Sequence, residues 1–293
     1  MSEPLISIGI SVFNQADTLG VALRSVLNQT YDQWELIITD DGSSDATAEV
    51  ISRFKDSRIV IISDGNNRGL PTRLNQMIGI AKGKYFARMD ADDVSFPDRL
   101  AKQVAYLEAH PEVDLLGTGA LVIDGNNALI GKFRLSQKHE EICADPWRGI
   151  SVPHPTWMGK TEWFKAHPYD ISMRRAQDQL LLVSAYPVSR YACLGESLLA
   201  YRVDRPSFKS ALRKRWYYAI ALFRLAAERG HWIAGGLAAT RQAAKASVDL
   251  LLGLMNASSV LDGKRFAAVD KCDVGRWNVL KTSLNIDGNI SEH

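Results

Sequence analysis

At 293 residues, with 46% hydrophobic and 23% charged side chains, the chain reads as a globular protein large enough for one sizeable domain or a domain with an appendage. Its formal charge of +2 gives no ground for nucleic-acid binding, and no apolar run approaches the ~20 residues of a membrane-spanning helix. Cys143, Cys193 and Cys272 are too few and too scattered for a disulfide framework or a zinc site, and Met1–Ile6 lacks a secretory signal pattern, so a cytoplasmic protein is expected.

The first half alternates strand and helix. Leu5–Val12 is a short β-branched run of the kind found in a parallel strand covered on both faces, and Ala16–Asn28 carries Leu19, Ala22, Leu23, Val26 and Leu27 at helical spacing. Trp34–Thr39 predicts a second strand that runs into Asp40-Asp-Gly-Ser-Ser-Asp45, where Gly42 permits a tight turn before a helix from Ala46 to Phe54. Arg58–Ser63 predicts a third strand, Pro71–Ala81 a third helix, and Lys84–Arg88 a fourth strand. This order implies right-handed βαβ units and a parallel sheet, with ligands bound beyond the carboxyl ends of the strands. Phe13–Asp17, Asp40–Asp45 and Asp90–Asp93 all fall at that edge.

The last of these loops puts Asp90, Asp92 and Asp93 within four residues. Carboxylates so close repel and raise one another's pKa unless a positive charge sits among them. A hard divalent ion, Mg²⁺ or Mn²⁺, resolves the conflict, so the cluster reads as a metal–diphosphate site; the alternative is a solvated acidic turn that caps the next helix. No GxGxxG or GxxxxGK[ST] motif is present, which counts against dinucleotide and P-loop sites. A nucleotide would instead be held by carboxylates, and Asp40 and Asp41 each suit a pyrimidine N–H or a ribose hydroxyl, or else only shape their turn.

Taken together, Ile8–Asn14, Ser25–Tyr31, Glu35–Asp45, Asn67–Leu70, Arg73-Leu-Asn75, Ala81–Tyr85 and Arg88–Asp93 resemble glycosyltransferase family 2 over roughly residues 4–205. The resemblance implies an α/β GT-A fold, a Rossmann-like, mostly parallel sheet flanked by helices, and an inverting transfer from a nucleotide sugar. It places Asn14 at the nucleobase pocket, Asp40 or Asp41 (Asp41 preferred) at the uracil- or ribose-binding position, and Arg73 near phosphate. Asp90 and Asp92 match the family's DXD pair, with Asp92 the direct metal ligand and Asp90 nearer the ribose.

Farther on, Val113–Ile123 predicts a long strand and Asp124–Asn127 a hairpin turn. His154, between two prolines, and Trp157 are weaker acceptor-site candidates, each balanced by a structural or core role. Gln177-Asp178 resembles the acidic pair that opens a helix in the family, with the first acid replaced by an amide. Asp178 keeps the position of the general base, and a helix N-terminus keeps such a carboxylate ionised.

The division expected is a catalytic domain over 1–205, with a nucleotide-sugar half to about 112 and an acceptor half from 113, then a helical C-terminal extension and tail over 206–293. Lys209, Arg213, Lys214 and Arg215 beside Trp216, Tyr217 and Tyr218 suit either peripheral contact with an anionic membrane face or packing on the domain or a second subunit through 207–255. The tail from Asn256 reads as irregular, anchored by Trp277 and Val279. The expected function is metal-assisted transfer, by single displacement, from a nucleotide sugar to a glycan or lipid-linked acceptor at the inner membrane face. UDP is the expected nucleotide because it is the commonest in the family, with GDP and dTDP sugars as the alternatives. The alternative is a catalytically silent nucleotide-sugar or glycan-binding module on the same fold. A nucleotidyltransferase is disfavoured by the lack of a glycine-rich basic loop.

Overall fold

A computed structural model describes residues 3–173, 175–203, 208–254 and 266–286, with backbone alone over 208–214 and 248–254. The elements in chain order begin with β1 (Ile6–Val12), α1 (Ala16–Leu27), β2 (Trp34–Asp40), α2 (Thr47–Ser52), β3 (Ile59–Ser63), α3 (Leu70–Ile80) and β4 (Tyr85–Asp90). β5 (Val94–Ser95), α4 (Arg99–Ala109), β6 (Leu115–Ile123), β7 (Leu129–Phe133), α5 (His139–Ile142), β8 (Met158–Lys160), α6 (Thr161–Ala166), α7 (Gln177–Ala185) and β9 (Tyr191–Arg202) follow. α8 (Phe208–Glu228), α9 (Trp232–Leu254), β10 (Phe266–Ala267) and α10 (Lys271–Ser283) complete the described chain.

The sheet runs β10-β7-β6-β8-β4-β1-β2-β3, with β9 beside β6 and β5 beside β9. β1 to β4 pair in parallel, as the βαβ alternation requires. Beyond β4 the directions mix: β8 is antiparallel to both β4 and β6, while β6 and β9 are parallel. This is the GT-A arrangement, a curled α/β sheet between helical layers.

Alternation along β1 assigns its two faces. Ile6, Ile8, Ile10 and Val12 join Leu36 and Ile38 under α1 and α4. On the other face Ile37 and Phe86 pack against Leu74, Met77 and Ile78 of α3, and this layer continues through α6 and α7 to Leu222 of α8. Gly9 is required where it stands, because a Cβ there would meet the Phe86 ring at 2.4 Å.

The tail departs from expectation. In its described part, β10 adds an antiparallel strand to β7, and Trp277 and Leu280 of α10, with Leu284 just after it, are buried against Val94, Phe96, Leu121, Ile123 and Ala200. Trp277 is the anchor expected, whereas Val279 points to solvent. Asp270 caps α10 by accepting the Asp273 N–H, and Lys132 of β7 pairs with both carboxylates. The basic residues Lys209, Arg213 and Lys214 lie outside the described side chains, and Asn256–Arg265 lies outside the described residues. Among the described residues no helix is long and apolar enough to cross a membrane.

Candidate active site

Strand register decides which side chains meet. Val12 of β1 pairs with Asp40 of β2 and Ser11 with Asp90 of β4, so three loops leave the sheet at one edge. They wall a cavity of about 680 Å³ whose lining includes Phe13, Gln15, Asp41, Asp92, Arg175 and Arg202. That volume falls in the range of small-molecule sites.

The β1 and β2 loops are tied to each other. Asn14 adopts φ 52°, donates its N–H to Ser43 Oγ (3.0 Å) and accepts the Ser44 N–H on Oδ1 (2.8 Å). It lies off the cavity wall, where its neighbours Phe13 and Gln15 stand instead. Asp40 also turns inward, accepting the Ser43 N–H at 2.9 Å. Gly42 follows at φ +78°, where a Cβ would meet the Asn66 carbonyl carbon at 2.9 Å. Between Asp40 and Asp41, only Asp41 faces the cavity.

Asp41 and Arg73 together hold the 64–69 loop. The Asp41 carboxylate accepts the N–H groups of Arg68 (2.7 Å) and Gly69 (2.9 Å) and Nε of Arg73 (2.8 Å). Arg73 is 0% exposed and also donates to Asp64, Gln76 Oε1 and the Asn66 carbonyl. A guanidinium so enclosed cannot also meet a phosphate, and the expected phosphate contact is corrected to a loop-holding role. The Asp64 carboxyl is held well below the usual range by the Arg73 hydrogen bond above all.

The acidic cluster is assembled as the sequence suggested. One carboxylate oxygen from each of Asp90, Asp92 and Asp93 lies within 4.8 Å of the others, the only such acidic or metal-ligating group among the described residues. Burial first and Asp90 second push the Asp92 carboxyl up to about 6, and burial with both neighbours pushes Asp93 well above its ordinary value. Asp93 is fully buried; its Oδ1 accepts the Arg202 N–H at 2.9 Å and its Oδ2 has no partner. Three carboxyl groups converging at this spacing fit a hard divalent cation, which would replace repulsion with coordination.

Two arginines frame the cluster. Arg88, in the buried strand that delivers the acids, pairs with Asp90, while its Nε and Nη1 have no hydrogen-bond partner. Arg202, at the end of β9, donates Nε to the Asp92 carbonyl (3.0 Å), Nη1 to the Asp124 carbonyl (3.0 Å) and Nη2 to Asn127 Oδ1 (2.8 Å). Trp277 of α10 donates to the Asn127 carbonyl at 3.1 Å, so the tail braces the turn that holds Arg202.

The acceptor candidates fare differently. Trp157 is fully buried, donates Nε1 to the Val152 carbonyl and cannot stack on a sugar; it is core. His154 is buried against Trp157 with Nε2 2.8 Å from the Tyr169 hydroxyl, which corrects the acceptor contact to a supporting role. Asp178 is half-buried in the first turn of α7, which starts after Ala176 at φ 58°. It is not among the cavity-lining residues, but Arg175, three residues before it, is. Its charge reaches the Tyr169 phenol, which also feels Arg88 and Asp90; burial above all raises that phenol.

Carboxylates converging at the strand ends of an α/β sheet, beside a cavity of this size, make a site for a small polar ligand. The chain belongs to glycosyl transferase family 2, whose model matches residues 7–167, and is a glycosyltransferase. It is 41% identical over 226 residues to the putative glycosyltransferase EpsE of Bacillus subtilis, covering 75% of this chain and 79% of that one. It is 32% identical over 138 residues to WfgD of Escherichia coli, a UDP-Glc:alpha-D-GlcNAc-diphosphoundecaprenol beta-1,3-glucosyltransferase, covering 47% of this chain and 54% of that one. The mannosyltransferase PcManGT from Pyrobaculum calidifontis, solved with GDP-Man and Mn²⁺, shares the fold with a TM-score of 0.59 at 15% identity, covering 99% of this chain and 89% of that one.

Proposed function

We propose that this glycosyltransferase moves a sugar from a UDP-sugar to a hydroxyl of a glycan or lipid-linked acceptor, with inversion at the anomeric carbon. The observation that carries the reading is the convergence of three carboxylates within 4.8 Å in a cavity that also presents Asp41, Arg175 and Arg202. Asp41, fixed by three donors, accepts from the base or ribose, and the exposed Phe13 ring offers a stacking face to the base. Asp90 and Asp92, with Asp93 behind them, would hold Mg²⁺ or Mn²⁺. Such an ion acts as a Lewis acid toward the charge that develops on the leaving diphosphate. Arg175 and Arg202 add positive charge on the same wall.

Asp178, in the first turn of α7, takes the proton of the attacking hydroxyl. One base and one displacement invert the centre, through an oxocarbenium-like state. The names of WfgD and PcManGT support a nucleotide-sugar donor, that of WfgD a diphosphoundecaprenol-linked acceptor, and that of PcManGT a divalent ion. We assign the nucleotide-sugar half to about 1–112, the acceptor half to 113–205 and the extension to 206–293, and place the enzyme at the cytoplasmic membrane face. The test is incubation with labelled UDP-sugars and diphospholipid-linked acceptor sugars, with Asp178→Asn as control. Transfer by the parent protein and none by the variant are expected; nucleotide binding without transfer from any UDP-sugar would leave a silent binding module.

A further inference from the structure

The α8–α9 hairpin presents two faces of different character. Its inner face is core: Tyr218, Leu222 and Ala226 of α8 and Ala238 of α9 are buried, and Arg229 closes the carboxyl end of α7 by donating to the Val183 and Ser184 carbonyls. Its outer face carries Trp216 (67% exposed), Phe223, Trp232, Ile233 (82% exposed) and Leu237. Phe223 and Trp232 meet edge to face at 6.3 Å across the hairpin, which joins the exposed apolar side chains of the two helices at that point. Such clustering on a polar fold marks an interaction surface.

Charge selects the partner. Residues 208–254 hold eight Lys and Arg against two Asp and Glu, a local charge of +6 in a chain whose total is +2. The hairpin also reaches the cavity, since Tyr217, the residue after Trp216, lines it. We propose that the outer face of this hairpin seats the enzyme on an anionic lipid bilayer, with its aromatic and aliphatic side chains at headgroup depth and the cavity mouth turned to the membrane surface. Amphipathic helices with basic residues and Trp or Phe bind in this way. A second copy of the chain is the poorer occupant, because a two-fold contact would set two hairpins, each of net charge +6, against one another. The bilayer contact is independent of the transfer reading; only its use, presenting a lipid-linked acceptor to the cavity, rests on that reading.

The test is flotation of the full chain with vesicles of phosphatidylcholine alone or mixed with phosphatidylglycerol, at low and high salt, alongside sedimentation to determine the oligomeric state. The parent protein is expected to float with the anionic vesicles and to be released by salt. The Trp232→Ser, Ile233→Ser double variant and the Arg224→Glu variant should each bind about tenfold or more weakly, with unchanged melting temperature and unchanged UDP binding. Absence of flotation, equal binding to neutral vesicles, or a dimer that the same substitutions dissociate would each overturn the proposal. Flotation by a protein that binds no nucleotide would uphold it and instead refute the transfer reading.

Discussion

Arg73→Met separates a structural arginine from a ligand-binding one. The guanidinium is 0% exposed and is held by Asp41 at 2.8 Å and Asp64 at 2.6 Å. Removing one partner of a buried pair leaves the other charge desolvated and uncompensated, at a cost of about 3–5 kcal/mol. The Asp41 side chain is only 5% exposed and suffers most of that penalty, whereas Asp64, 32% exposed, is relieved by water. We therefore expect the low end, about 3 kcal/mol, and a fall in melting temperature of roughly 6–12 °C for a domain of this size. Because the freed 64–69 loop supplies Asn67 and Gly69 to the cavity, donor affinity should fall as well. The assay is calorimetric melting of Arg73→Met, of Asp41→Asn and of the double variant. The double variant should recover part of the loss, since no buried carboxylate is left unpaired. An unchanged melting temperature with a raised donor KM would refute the reasoning and restore Arg73 as a phosphate ligand.

Further predictions concern other parts of the site. Asp178→Asn should lower kcat by about 10²–10⁴ while leaving UDP affinity intact, as measured by initial rates and titration. Trp277→Ala should cost about 3–5 kcal/mol in denaturant unfolding and should also lower transfer, because the Trp277 bond to Asn127 braces the turn that holds Arg202. The Asp92 carboxyl, raised to about 6 from 3.8 by burial and Asp90, binds its proton more tightly in the folded than in the unfolded chain. Metal-free protein should therefore lose stability as pH rises through that window. Melting curves should show the loss, and Asp92→Asn should flatten it.

The N-terminal half was legible because its signals are local and repeated. Strand and helix alternate at short spacing, and parallel pairing then brings the polar turns after β1, β2 and β4 to one edge. What the sequence concealed was the direction in which side chains turn after the strand ends. Asn14, Asp40 and Arg73 stand at the expected places in the chain, yet their polar atoms are engaged with neighbouring loops. Arg202 and the tail were missed because their partners lie 75 to 150 residues away, at Asn127. Arg88 carried a readable signal: an arginine in a buried strand, two residues before an acidic cluster, needs a carboxylate partner. Trp157 followed the general expectation for a large aromatic and became core.

The most direct test of the central claim, that the acidic edge of this sheet is a metal–nucleotide site, is titration calorimetry with UDP, with and without Mn²⁺. It should be run on the parent protein and on Asp92→Ala. The account predicts binding that Mn²⁺ strengthens in the parent protein and a loss of that enhancement in the variant. UDP binding that is indifferent to Mn²⁺ in both proteins would contradict the metal role of the cluster, and no UDP binding at all would contradict the assignment of the cavity.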